Sequence, residues 1–502
     1  MDPAQAGKFM IVDVPGPVLQ DEDRAHLARY QFAGVCLFRK NVQTREQLSR
    51  LVTDIREVLG PEALICLDQE GGMVTRVLEI PQAPAPMAIG AVGSAELARE
   101  VGAAVARGLG ALGINWNLAP PLDVNTNPAN PIIGERSFGS HPVKVTELGL
   151  AWAAGLEGAG VMGSVKHFPG HGDTAQDSHL TLPTVDKPLM ELEKVELYPF
   201  FKAVEQGIGS VMTAHVVFPA LDPDYPATLS RPILTGLLRQ GWGYEGLIVT
   251  DAFDMKAIAA RFPLAEATVQ TVLAGADLIC ALGPKEVQTA QVQALRGAVV
   301  DGRISSRRLE ETCSRLEAAT HNFPATSRPY PAEQEAADEA LMQSAARQSI
   351  TAIGEVRLPR PSDQILLLAP QSARVGAVYE EESTAERLLR YLRAEFPRLS
   401  LLTYPPAARS VQTRVIQEAH AADFILMATT SRTELHPEEV ELARTIFGLG
   451  KPALHLGLWN PYHARTLGYP ALLTYGFRDP SLIALSEVLA GGQATGRLPV
   501  QF

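Results

Sequence analysis

Cysteine is scarce in this chain: Cys36, Cys66, Cys280 and Cys313 are the only four in 502 residues. They are scattered, which excludes a disulfide framework and a cysteine metal cluster. Cys36, Cys66 and Cys280 fall inside apolar runs and are expected to be buried thiols. Positive charge is also in deficit. Lys and Arg number 44 against 56 Asp and Glu, a net charge of −12 that argues against nucleic acid or an anionic membrane as partner. Apolar stretches stay short of the roughly 18 residues that a membrane span needs. The opening MDPAQAGKFMIVDVPG lacks a basic region followed by a long apolar stretch, so no signal peptide and a cytoplasmic location are expected. Internal repeats of short period and low-complexity segments are absent as well. At 46% hydrophobic and 20% charged, the chain has the make-up of a globular protein with sizeable cores.

What is present is a rhythm. Short, continuous apolar runs recur at Phe9–Val12, Gly34–Phe38, Ala63–Leu67, Ile114–Leu118, Val161–Val165, Gly209–Met212, Leu247–Val249 and Ala276–Cys280. Parallel strands buried on both faces read this way. Helix-like stretches lie between most of them: Thr44–Leu59, Ser94–Leu112, Lys144–Leu156, Met190–Gln206 and Lys256–Leu273. Eight such units spell a (β/α)8 barrel over residues 1–325. Residues 326–350 read as a linker and a helix. From 351 to 502 the rhythm restarts with five apolar runs, Ile365–Leu368, Leu401–Thr403, Phe424–Ala428, Ala453–Leu458 and Ala471–Thr474, which predict a smaller α/β sandwich domain.

The barrel runs hand over to polar residues at their C-terminal ends, the face where such barrels build their sites. Asp68 and Arg76 follow the third run, Arg136 the fourth, Lys166 and His167 the fifth, His215 the sixth and Asp251 the seventh. The densest stretch is Lys166–Pro183, KHFPGHGDTAQDSHLTLP, which carries His167, His171, His179, Asp173 and Asp177. Asp177 and His179 are two apart, so in an extended segment they share a side. A carboxylate there fixes the imidazole's tautomer and steadies its charged form, which makes a tuned general acid/base. Asp251 ends a buried strand and is the candidate nucleophile. Asp254 suits the start of the next helix instead. Two bland patterns are set aside. Gly108–Gly113 matches the dinucleotide spacing but ends a helix rather than opening one. His167, His171, Asp173 and His179 are of zinc-ligand type but lack the spacing of known metallohydrolase clusters. No metal and no cofactor are therefore expected.

These residues resemble glycoside hydrolase family 3, in its bacterial cell-wall-recycling branch of β-N-acetylglucosaminidases. The likeness is carried by LDQEGGMVTR at Leu67–Arg76, IGERSFG at Ile133–Gly139, the Lys166–Pro183 stretch, MTAH at Met212–His215 and IVTDAFDM at Ile248–Met255. It extends more weakly through Asn460-Pro461-Tyr462 and Gly496-Arg497-Leu498-Pro499. The resemblance implies a retaining exo-β-N-acetylglucosaminidase with Asp251 as nucleophile, His179 as acid/base and Asp177 as its orienting partner. It implies sugar contacts from Asp68, Arg76, Arg136, Lys166 and His167. The segment around Asp251 reads Thr-Asp-Ala where many members have Ser-Asp-Asp. The partner implied is a small carbohydrate, not nucleic acid and not membrane, and no oligomeric state is specified. Alternatives remain: a β-glucosidase or β-xylosidase using Glu434 of the second domain, a phosphorylase that transfers the sugar to phosphate, a metal-dependent hydrolase, or a non-catalytic sugar-binding protein.

Overall fold

The computed structural model describes residues 3–175, 182–253, 258, 261–371, 384–405 and 412–502. Eight strands close into a parallel barrel: β1 (Met10–Val12), β2 (Gly34–Cys36), β3 (Leu64–Leu67), β4 (Trp116–Asn117), β5 (Met162–Phe168), β6 (Ser210–Thr213), β7 (Leu247–Ala252) and β8 (Leu278–Ala281). They pair in chain order, and β8 closes on β1 through Met10↔Ile279 and its neighbours. All eight strands contribute to one buried cluster: Ile11, Cys36, Cys66, Trp116, Met162, Met212, Val249 and Cys280 lie together in the barrel interior. Leu316, Ala319 and Phe323 join that cluster from the helix Ser306–Asn322 and its end. Cys36, Cys66 and Cys280 are the buried thiols their surroundings suggested.

The helices form where apolar residues recur every three or four positions. Arg45–Leu59 buries Leu48, Leu51, Val52, Ile55 and Leu59, is capped by Thr44 Oγ1 accepting from Gln47 N, and stops at Gly60 with φ 94°. Two helix boundaries differ from the sequence pattern. Met190–Gln206 is two helices, Leu189–Lys194 and Leu197–Glu205. Pro199 explains the break: its ring excludes the helical carbonyl of Val195, so the helix restarts with proline in its first turn. Likewise the expected Lys256–Leu273 stretch is helical at Ile258 and again over Leu264–Ala274 but not at Arg261–Pro263, and Lys256 lies outside the described residues. Gly108 and Gly110 lie within the last turns of Ala95–Ala111, and Gly113 follows with φ 80°, a glycine-rich helix end.

The second sheet has six strands, one more than the sequence pattern suggested. They are β9 (Thr351–Ile353), β10 (Ile365–Pro370), β11 (Leu399–Tyr404), β12 (Phe424–Thr429), β13 (Ala453–Gly457) and β14 (Ala471–Leu473), ordered β9-β14-β13-β12-β10-β11. β9 alone runs antiparallel, and its three residues, of which only Thr351 is buried, carry too little apolar pattern to be noticed. Alternate residues serve the two faces. Leu367 and Leu426 pack on one side, Leu366, Leu368, Ile425 and Met427 on the other. This sandwich sits against the loops that follow β3 and β4. Met73 and Val74 enter its core, and Met87, Ala88 and Ala91 pack with Tyr462, Leu473 and Tyr475. Among the described residues no helix is long and apolar enough to cross a membrane.

Glu157, near the end of the helix Pro142–Gly158, accepts from Gly209 N at 2.9 Å and Gly163 N at 3.1 Å. Burial nevertheless pushes its carboxyl up to about 7. A carboxyl raised in the fold weakens stability once the unfolded chain ionises, and the loss is complete above the folded value. Glu157→Gln keeps the acceptor and removes the charge. It should therefore stabilise the protein by about 2 kcal/mol at about pH 8 and by little at about pH 5, read by thermal unfolding. An equal shift at both pH values would contradict this.

Candidate active site

The sequence Asp68-Gln69-Glu70 leaves β3 as a short extended segment, so its side chains alternate. Gln69 points back and sews down the hairpin Gln69–Gly71/Val74–Thr75. Its amide oxygen accepts from Arg76 N and Val77 N, and its amide nitrogen donates to Val77 O. Asn117 at the end of β4 grips the same backbone, accepting from Gln69 N at 2.9 Å and donating to Gln69 O at 3.0 Å. Asp68 and Glu70 point the other way, onto the end of β5.

There they meet Lys166, which is only 2% exposed. Its ammonium lies 2.7 Å from Asp68 Oδ1 and 2.6 Å from Glu70 Oε1. Arg76 Nη2 adds 3.1 Å to Asp68 Oδ2. Arg136, in the turn Gly134–Arg136 after β4, takes Glu70 bidentately at 2.9 and 2.8 Å. Burial alone would raise both carboxyls. The Lys166 and Arg76 charges instead hold Asp68 well below the usual range, and Arg136 with Lys166 lower Glu70. Burial likewise opposes the Lys166 charge, but Asp68 and Glu70 raise its pKa. The result is two ionised carboxylates and three cations interlocked across the ends of three adjacent strands and the segments that follow them.

His167 follows Lys166 within β5. Its Nδ1–H donates to Asp123 Oδ2 at 2.7 Å, which turns Nε2 toward Arg136 Nη2 at 3.3 Å. Asp123 also accepts from the backbone N–H groups of His167 and, at 2.6 Å, His171. Burial disfavours its charge, yet His167, His171 and these hydrogen bonds bring its pKa down to about 2. The buried His171 ring bonds Thr174 Oγ1 at 2.8 Å, stands 5.9 Å from the His167 ring, and is pushed to about 4 by burial and the His167 charge.

Asp251 stands on β7, partly exposed, within electrostatic range of His171. Its Oδ1 accepts from Ala252 N at 2.7 Å. His215, past β6, braces this strand end. Its Nε2–H donates to Ala252 O at 2.9 Å, while Nδ1 meets Thr228 Oγ1 at 2.8 Å. The structure thus gathers Asp68, Arg76, Arg136, Lys166 and His167 into one network and sets Asp251 on a nearby strand of the same face. Asp177, His179 and Asp254 lie outside the described residues. Of the zinc-type set, His167 and His171 are engaged as above, while Asp173 is held by Lys187 at 3.1 Å and Thr126 at 2.9 Å. Glu434 is exposed on the second domain. Sequence reasoning missed Glu70, Asp123 and the part played by His171. Glu70 had a signal in its two-residue spacing from Asp68, and Asp123 in its place just past β4.

The model of the glycosyl hydrolase family 3 N-terminal domain matches residues 5–319. Beta-hexosaminidase A of Pseudoalteromonas piscicida is 30% identical over 94% of this chain and 90% of its own length. A beta-hexosaminidase of Chromobacterium violaceum is 36% identical, over 57% of this chain and 82% of its own. Among solved structures, a glycoside hydrolase family 3 beta-N-acetylglucosaminidase from Paenibacillus sp. str. FPU-7 superposes with a TM-score of 0.93. It is 32% identical and covers 100% of this chain and 99% of its own.

Asp123 supplies stability through its lowered pKa. That contribution, about 2 kcal/mol, is present above pH 4 and is lost as pH falls toward 2. Asp123→Asn lacks it and leaves a buried donor facing a donor, so it should unfold about 3 kcal/mol more easily at about pH 7. The gap between variant and wild type should narrow as pH is lowered through that window, and a constant gap would contradict the assignment.

Proposed function

This chain belongs to glycosyl hydrolase family 3, and from that premise we propose that it is a retaining exo-β-N-acetylglucosaminidase. The substrates in this reading are small carbohydrates with a terminal β-linked N-acetylglucosamine, such as muropeptides or chito-oligosaccharides. The observation that carries it is the ion-pair network of Asp68, Arg76, Lys166, Glu70 and Arg136, on the barrel face that also bears Asp251. Its partly exposed members, Asp68 and Arg76, suit the hydroxyls of an uncharged sugar. Relatives and a structural neighbour with hexosaminidase names, similar over nearly the whole chain, support the same choice.

In this reading residues 1–325 form the catalytic barrel, 326–350 the linker and helix, and 351–502 the sandwich. Asp68, Arg76, Arg136, Lys166 and His167 bind the terminal sugar. Asp251 attacks the anomeric carbon while His179, held by Asp177, protonates the departing glycosidic oxygen. His179 then takes a proton from water, which displaces Asp251 and releases the sugar with its anomeric configuration retained. The network's charges need no rearrangement as charge develops on the sugar, and such pre-arrangement lowers a barrier effectively. The scheme calls on no cofactor and no metal.

The first experiment compares initial rates on an aryl N-acetyl-β-glucosaminide and the matching aryl β-glucoside, without and with phosphate. A strong preference for the N-acetyl sugar, independent of phosphate, is the expected outcome. A preference for the glucoside would move the reaction to Glu434 and the second domain, and phosphate-dependent release of sugar 1-phosphate would make it a phosphorylase. Asp251→Asn should lose at least roughly 1,000-fold in kcat. Near wild-type turnover in that variant would remove Asp251 from the mechanism. His179→Ala should lose far more on substrates with poor leaving groups than on activated aryl glycosides, because only the former need the proton. Equal losses on both would sink the acid role.

A further inference from the structure

Asp173 lies in the densest polar stretch and Lys187 just past its end, yet the sugar-binding network uses neither. Lys187 Nζ stands 3.1 Å from Asp173 Oδ2 and 2.7 Å from Glu196 Oε1. The Glu196 side chain is only 2% exposed. It packs on Gly170, where an added Cβ would meet Glu196 Cβ at 2.8 Å. Lys187 is therefore tied to a buried, closely packed acid. Burial opposes the Lys187 charge, but Glu196 and then Asp173 overcome this and raise its pKa, so the ammonium is charged at neutral pH.

Asp173 is held on its other side by the segment after β4. Thr126 Oγ1 donates to Asp173 Oδ1 at 2.9 Å, and Asn127 Nδ2 donates to Asp173 O at 3.2 Å. Asn130 Nδ2 donates to His171 O at 2.8 Å. Between them Gly172 lies so close to Val124 that an added Cβ would stand 1.8 Å from Val124 O. The return of the chain is pinned as well. Val185 N donates to Val217 O at 2.9 Å, and Val217 N donates to Pro183 O at 3.0 Å. Both ends of the stretch 173–187 are thus anchored to the barrel, and the Asp173–Lys187 pair joins them directly. In sequence that stretch contains Asp177 and His179.

We propose that Asp173 and Lys187 are positioning residues for the acid/base: their ion pair closes the base of the stretch that carries His179, and so sets the reach of its imidazole to the glycosidic oxygen. The inference rests on the reading of His179 as the general acid. Joining the two ends lowers the entropy the stretch must give up before its side chains can act. Neither residue takes part in bond-making in this scheme. Their loss should be felt where the departing oxygen needs a proton and hardly elsewhere.

The test is kcat/KM of full-length variants on the phenyl and the dinitrophenyl N-acetyl-β-glucosaminide, with thermal unfolding measured alongside. The phenolate is a poor leaving group, while the dinitrophenolate departs without a proton, and kcat/KM reports the step that breaks the bond. Asp173→Asn and Lys187→Met should lose about tenfold on the phenyl substrate and less than about twofold on the dinitrophenyl one. Lys187→Arg keeps the charge and should stay within about twofold of wild type on both. If Lys187→Met does not fold, Asp173→Asn still decides the matter, because it leaves Lys187 paired with Glu196. Equal losses on the two substrates, or no loss on either, overturn the positioning role. His179→Ala separates the two levels. If it shows no dependence on the leaving group, the reading of His179 as the acid fails. If it shows that dependence while Asp173→Asn and Lys187→Met do not, only the role of the ion pair fails.

Discussion

Everything at the mouth of this barrel depends on one buried ammonium. Removing a lysine from water costs several kcal/mol unless other charges replace the lost hydration. Lys166 is compensated by two carboxylates at hydrogen-bond distance, and each of those is itself buried and must be compensated in turn. Arg76 completes Asp68, and Arg136 completes Glu70. The chain of obligations runs from β5 to β3, to the loop after β4 and back through His167 to Asp123. Removing a member leaves its partners short of compensating charge at a largely buried place, the situation in which ion pairs become most costly. The network therefore holds its geometry before any ligand arrives, and this makes it useful to a reaction that develops charge.

The barrel makes that arrangement possible by letting the backbone of β5 pair while its side chains turn inward. Lys166 O accepts from Leu122 N at 2.7 Å, and Lys166 N donates to Pro120 O. The register against β6 shifts between Val165 and Phe168, just where the strand changes from apolar to charged. At the opposite end a different cluster closes the fold. Asp277 is buried under Arg239, Arg308 and Arg315 and accepts from Ile248 N. Burial opposes its charge, and the three guanidiniums overcome that and lower its pKa. One face carries a charge cluster with no reacting group in it, the other a cluster set beside a partly exposed Asp251, the division of labour between the two faces of such barrels.

The barrel was readable because parallel strands buried on both faces leave continuous apolar runs, and the residues just past those runs fall on one rim by topology alone. That rule placed Asp68, Arg76, Lys166, His167 and Asp251 without any knowledge of contacts. It did not single out Glu70 or Asp123. Each is a buried acid whose partner stands far off in the chain: Arg136 for Glu70, His167 for Asp123. A lone acidic residue in a loop reads as solvated, and only the folded neighbourhood shows that it has a charge to answer. The helix break before Pro199 was legible in principle, since proline marks it, but the apolar period on either side concealed it. The acid/base pair Asp177 and His179 rests on spacing and resemblance alone.

The segment between β4 and the helix Pro142–Gly158 is where these demands meet. It is longer than the roughly 12–15 residues beyond which a connection in a compact domain usually serves a function, and it contains little regular structure beyond the single turn Gly134–Arg136. Yet it carries Asp123, which orients His167, and Arg136, which completes Glu70. A loop of this kind cannot hold a guanidinium to a few tenths of an ångström by its own backbone, because its conformational entropy opposes any single arrangement. Ser137 helps from within, donating to Asp123 O at 2.6 Å. Asn130 ties it to the segment after β5, donating to His171 O at 2.8 Å, and the second domain holds it through Tyr462 and Pro499. The sandwich thus adds packing to this segment as a helix does to a strand in the barrel.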